Sequence, residues 1–192
     1  MRVSREKAAE NRERILNAAA GLFRAKGFDG AGVADIMQAA DLTHGGFYGH
    51  FASKDDLAVQ ASRRTMRRSA AKWESLVASA PDRPYTAVLD HYLSPRHRDD
   101  PGRGCAFAAL GNDAARSAKP VRHAFAEGLE PLLAILTEAI PGPSKAVRRR
   151  KAVTAMAALV GALTLARAVD DPQLSDEILA AARRELLAAA GL

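Results

Sequence analysis

The chain has 192 residues, 48% of them hydrophobic and only 5% aromatic, with a formal charge of +6. One cysteine, Cys105, excludes an intramolecular disulfide framework and fits a reducing compartment. The positive surplus is local: residues 1–73 carry thirteen Lys and Arg against eight Asp and Glu, the other 119 residues fifteen against fourteen. Such a bias favours a polyanionic partner for the N-terminal third.

Alanine-rich sequence with few aromatics points to closely packed helices, so the expected fold class is all-α. From about Glu6 to Lys26, Ile15, Leu16, Ala19, Leu22 and Phe23 recur at three- and four-residue steps, and Gly27 sits where a glycine ends a helix. A connector, 28–32, leads to a second helix, Val33 to Ala40, with Val33, Ile36 and Met37 inward. Asp41 stands at its end, where a left-handed residue is often needed and aspartate is tolerated. Thr43 then offers an N-cap to His44-Gly45-Gly46-Phe47-Tyr48-Gly49-His50-Phe51. Glycine costs a helix roughly 1 kcal/mol relative to alanine at each position. Phe47 and Phe51, four residues apart, anchor one face, while the other is stripped to glycine and histidine. A helix so built suits close approach of another surface, and the floor of a DNA major groove is the candidate. Two short helices across a tight turn, buttressed by the long first one, make a helix-turn-helix unit.

Ser53, with Asp56 three residues on, resembles a capping box and opens a helix to about Ala80, before Pro81. Arg63, Arg64, Arg67, Arg68 and Lys72 lie along it as a solvated face, and Trp73, Leu76 and Val77 carry it into a second domain. Tyr85 to about Leu93 reads as the next helix and Ser94 to Gly104 as an exposed loop. Cys105 to Ser117 reads as a buried helix, and Val121 to Ile140 as a helix that Pro131 kinks near Glu127–Gly128. Ser144 is expected to cap a helix to about Val169, and Ser175 to cap the last one. The apolar run Ala152 to Ala166, interrupted by Thr154, Gly161 and Thr164, falls short of a bilayer span. No signal-peptide pattern opens the chain, and the expected location is cytoplasmic.

Taken in order, Ile15-Leu16 through Phe23, Lys26-Gly27-Phe28, Val33 with Ile36, Leu42 through Phe51 and Ser53-Lys54-Asp55-Asp56-Leu57 resemble the TetR family of transcriptional regulators over residues 10–58. The resemblance implies a three-helix DNA-binding domain, residues 1–52, and a helical ligand-binding and dimerisation domain, 53–192. It places Thr43 and His44 at the leading end of the recognition helix and Gly45 and Gly46 against base edges. It places Tyr48, His50 and Lys54 on phosphates. In the family a Thr or Ser commonly caps the second helix and touches the backbone of DNA. Here Ala31 and Gly32 stand there, leaving Gly32 to offer a bare N–H to phosphate.

The resemblance further implies a homodimer, through helices at about 144–169 and 175–190, on an inverted-repeat operator, and a small-molecule inducer, expected to be largely apolar. Trp73, Tyr85, Tyr92, Cys105, Phe107, Asn112, Phe125 and Met156 are the candidate ligand contacts. No catalytic, metal or cofactor motif is present, and no enzyme is expected; His91, His97, Asp99 and Asp100 read as solvated. Two variants of the regulator stay open: redox or electrophile sensing through Cys105, at the start of a helix, and DNA binding without a ligand.

Overall fold

A computed structural model describes residues 5–192, which form helices and no strands. The N-terminal domain expected over 1–52 therefore includes four residues outside the described ones. Helix α1 (Arg5–Gly30) breaks at Gly27, whose φ of 77° only glycine adopts without strain. Its Ile15, Leu16, Ala19 and Phe23 are buried. α2 (Val33–Ala39) follows, and a 3₁₀ helix (His44–Gly49) comes next.

The turn between them is held by backbone geometry. Ala40 ends α2; Asp41, at φ 54°, takes the left-handed position. The Asp41 N–H donates to Gln38 O and the Leu42 N–H to Met37 O, both at 2.9 Å. This is a Schellman motif with aspartate where glycine is usual.

α3 (Lys54–Ser79) is capped as expected, Ser53 Oγ accepting from the Asp56 N–H at 3.1 Å, while Asp56 reaches back to the Ala52 N–H. α3 packs along α1 on one side and α7 (Lys119–Ala139) on another. α7 continues as one helix through Pro131. The two approach closely at Gly128, where a Cβ would meet the Met66 side chain of α3.

The segment expected as an exposed loop, 94–104, is instead ordered and partly buried. After α4 (Pro84–Tyr92), it forms a short helix α5 (Pro95–Asp99), capped by Ser94, and a 3₁₀ turn (Pro101–Arg103). Arg167, near the end of α8 (Lys145–Ala168), donates to the carbonyls of His97 at 2.6 Å and Arg98 at 3.0 Å. These contacts lie about seventy residues apart, beyond any local reading.

α6 (Ala106–Arg116) is buried at Ala106, Leu110 and Ala114. The last helix, α9 (Pro172–Ala190), is capped not by Ser175 but by Asp171, which accepts from the Gln173 and Leu174 N–H groups. Pro172 suits the first helical position. Ser175 is buried one turn in, donating to Ala166 O at 2.7 Å. By length and composition alone α8 could cross a membrane, which the interrupted run did not suggest. In the fold its Ala152, Ala155, Leu159 and Leu163 are buried in the core shared with α7 and α9.

Two apolar clusters hold the chain together. One gathers α1, α2, the phenylalanines Phe47 and Phe51, the first half of α3, and parts of α6 and α7. The other gathers the rest of α3 and α7 with α4, α8 and α9.

Candidate nucleic-acid interface and adjoining cavity

The 3₁₀ helix is pinned from behind and open in front. Phe47 is fully buried and Phe51 nearly so, their rings stacked at 5.8 Å between centroids. Arg12 of α1 covers the Phe51 ring at 5.0 Å, a cation–π contact that closes the back of the head. The outer face is the reverse. Tyr48 is 72% exposed, its ring edge-on to Phe47, and Thr43, His44, Gly45, Gly46 and Gly49 are exposed.

Nothing inside the subunit requires glycine here. A Cβ at Gly45 or Gly49 would meet no atom within 4 Å, and one at Gly46 would make ordinary contact with Met37. None of the three has positive φ. Their smallness is therefore useful only to something outside the subunit.

Among the described residues, the side chains of Thr43, His44, Tyr48, His50 and Lys54 make no hydrogen bond or ion pair, and all but His50 and Lys54, which are half-buried, are exposed. Thr43 occupies the N-cap position, but its hydroxyl caps nothing. The tight 3₁₀ winding satisfies the Gly46 N–H with the Thr43 carbonyl at 3.0 Å, so the hydroxyl stays free. Gly32 departs from expectation: its N–H is engaged by Asp35 Oδ2 at 3.2 Å, which sets a carboxylate where a phosphate was expected.

The expected ligand residues separate. Trp73, Tyr92 and Cys105 line a cavity of about 440 Å³ between α1, α3, α4 and the 94–104 segment. Tyr85 borders a second one of about 480 Å³ near the ends of α7 and α9; burial raises its phenol to about 12. Phe107, Asn112, Phe125 and Met156 line neither. Phe107 and Phe125 pack edge-to-face at 5.3 Å, Met156 is core, and Asn112 faces solvent.

The first cavity is not the apolar chamber expected. Arg24, Arg68, Lys72, Arg96 and Arg103 line it, against a single carboxylate, Asp100. Arg24 donates to Thr65 Oγ1 at 2.5 Å and to the Gly102 carbonyl. Burial, then the nearby Arg68 charge, lowers its guanidinium to about 10. His97 is fixed by two backbone groups: its Nε2 accepts from the Cys105 N–H at 3.0 Å and its Nδ1 donates to Tyr92 O at 2.7 Å. Burial lowers its pKa to about 4, keeping the ring neutral. Sequence reasoning missed Arg24, Arg68 and Arg96 as cavity residues, because only the fold brings these positions to one place.

Residues 15–61 match the family described as bacterial regulatory proteins, tetR family. No curated protein sequence matches the chain at a significant level. Among solved structures, NemR of E. coli in its reduced form is similar over 92% of this chain and 94% of that one, at 21% identity and a TM-score of 0.77. A TetR-family regulator from Agrobacterium tumefaciens matches over 95% and 98%, at 21% identity and a TM-score of 0.78. SCO4454, a TetR-family regulator from Streptomyces coelicolor, matches over 96% and 97%, at 26% identity and a TM-score of 0.74. The motif-bearing head, residues 15–61, matches the tetR family model, and the whole helical body shares the fold of solved TetR-family transcriptional regulators.

Proposed function

We propose that the protein is a ligand-responsive repressor that acts as a homodimer on an inverted-repeat operator. The observation that carries the reading is the exposed 3₁₀ helix, whose glycines are unneeded by the subunit's own packing. In this reading the helix enters the major groove. His44, Gly45 and Gly46 meet base edges, while Thr43, Tyr48, His50 and Lys54 position the backbone. Two such heads would stand about 34 Å apart, one helical turn of DNA.

The proposed division, 1–52 for DNA and 53–192 for ligand and dimer, is one of function; packing runs across it through α3, α6 and α7. Dimerisation through α8 and α9 is supported by apolar side chains that the subunit leaves uncovered, Val153, Leu165 and Leu174 at 42–57% exposure, and by open space over Gly161. Small residues there permit close helix approach across a twofold axis. A ligand that favours one subunit arrangement would weaken DNA binding, and DNA would weaken the ligand by the same factor.

The test is capture of genomic fragments from the source organism, followed by affinity measurements at rising salt. An inverted repeat and a steep fall in affinity with salt are expected; a flat salt response would sink the reading.

One position favours a second version. Cys105 lines the same cavity although only 6% exposed, so an electrophile admitted there meets its sulfur. Operator release by N-ethylmaleimide in the natural protein, absent in Cys105→Ser, would support that version; equal release in both would dismiss it.

A further inference from the structure

The cavity beside Trp73 has a floor and a rim of different chemistry. Trp73, Tyr92, Cys105 and Leu132 are buried and form an apolar floor, with Trp73 edge-on to Tyr92 at 5.9 Å. Arg68, Lys72, Arg96 and Arg103 stand exposed at the rim. Arg103 is paired with Asp100 at 2.6 Å. Arg68, Lys72 and Arg96 make no hydrogen bond or ion pair among the described residues. Arg24 has neutral oxygens as its partners and one nitrogen, Nε, buried with none.

A polar group at the floor is also unsatisfied. The Tyr92 hydroxyl, on a residue 1% exposed, has no oxygen or nitrogen partner and only the weakly accepting Cys105 sulfur beside it. An orphaned buried hydroxyl is costly and points to a missing partner. Five cations against one carboxylate, Asp100, give the concavity a positive potential that favours an anion.

We infer that this cavity takes an organic anion, its carboxylate or phosphate meeting Arg24, Arg68 and the Tyr92 hydroxyl and its flat apolar body lying on Trp73 and Leu132. The inference rests on the ligand-responsive reading above and gives its ligand a chemical class, a charged one in place of the largely apolar inducer expected with the resemblance. Arg24 belongs to α1, the helix that buttresses the DNA-reading head, and bonds across to α3 and the 3₁₀ turn. An anion that recruits this guanidinium therefore acts on the head through one side chain.

The test is titration calorimetry on the full chain with 2-naphthoate and 1-naphthyl phosphate, against neutral 2-naphthamide. At least one anion is expected to bind saturably and ten times or more tighter than the amide. Arg68→Gln and Tyr92→Phe should each weaken it about tenfold; the phenylalanine variant removes a group whose one internal neighbour is the weakly accepting Cys105 sulfur, so its melting temperature should change little. Equal affinity for the amide, or no saturable binding of either anion up to millimolar concentration, overturns the inference. Salt-sensitive DNA binding is measured on the same samples. Its retention without anion binding defeats only the cavity inference, whereas its absence defeats the regulator reading beneath it.

Discussion

Arg14 of α1 donates to Asp41 Oδ2 at 3.0 Å and to the Asp41 carbonyl at 3.3 Å, clamping a residue whose φ of 54° is the only positive value outside glycine among the described residues. The strained turn before the 3₁₀ helix is thus tied to the long helix behind it. The orientation of the reading face depends on a local backbone outlier and one tertiary contact.

That clamp separates two costs. Asp41→Ala loses the ion pair and keeps a Cβ in the left-handed region, whereas Asp41→Gly loses the pair and relieves the strain. The carboxylate is 96% exposed, so the pair itself is worth at most about 1 kcal/mol. The left-handed penalty is roughly 1 kcal/mol. Urea unfolding should therefore place Asp41→Gly about 1 kcal/mol above Asp41→Ala. The reverse order would show that the turn relaxes when the side chain goes.

The glycines of the reading face should show opposite effects on stability and binding. Gly45→Ala and Gly49→Ala place a methyl in open space, and alanine favours helical backbone by up to about 1 kcal/mol. Melting temperature should hold or rise, while operator affinity in a gel-shift titration falls about tenfold or more. Undiminished affinity in both variants would mean that nothing approaches this face closely.

Contacts to phosphate and to bases should separate in the same assay. Tyr48→Ala and Lys54→Ala are expected to weaken operator and scrambled DNA alike, and His44→Ala to change the preference between them. A uniform loss with His44→Ala would remove its proposed base contact.

Gly128 tests the packing of α3 on α7. A Cβ there would stand 2.8 Å from Met66 Cβ, which the flexible end of methionine cannot relieve. Gly128→Ala should cost about 1–3 kcal/mol by overpacking. Gly111→Ala, inside a helix with nothing within 4 Å, is the unclashed comparison in denaturant titrations and should gain up to about 1 kcal/mol.

His97 should impose a pH dependence. Burial lowers its pKa from 6.5 to about 4, so between those values the unfolded chain binds a proton that the folded chain does not. Stability contributed by the neutral ring is present above pH 6.5 and is lost as pH falls toward 4, at most about 3 kcal/mol for this partly exposed group. Urea midpoints between pH 7 and 4.5 should fall less steeply in His97→Gln than in the natural protein. Identical slopes would place the titrating group elsewhere.

Much of the N-terminal head was legible because its constraints are local. Gly27 as a helix break, Asp41 in the left-handed position, Ser53 as a cap, and Phe47 with Phe51 as anchors all concern residues within four positions of one another. Thr43 was read as a side-chain cap because a 3₁₀ winding, which satisfies the amide with a backbone carbonyl instead, leaves no distinct mark in residue types.

Spacing along single segments was enough to specify an all-helical chain with a small, glycine-faced head and sufficient apolar periodicity for a second domain. It took the packed helices to reveal that 94–104 is a folded strap held by Arg167, that Asp171 rather than Ser175 opens the last helix, and that the chamber beside Trp73 is ringed by cations. Arg24, Arg68 and Arg96 lie on three different elements. Whether three such charges face water singly or share one cavity depends on how those elements pack, which no stretch of sequence encodes alone.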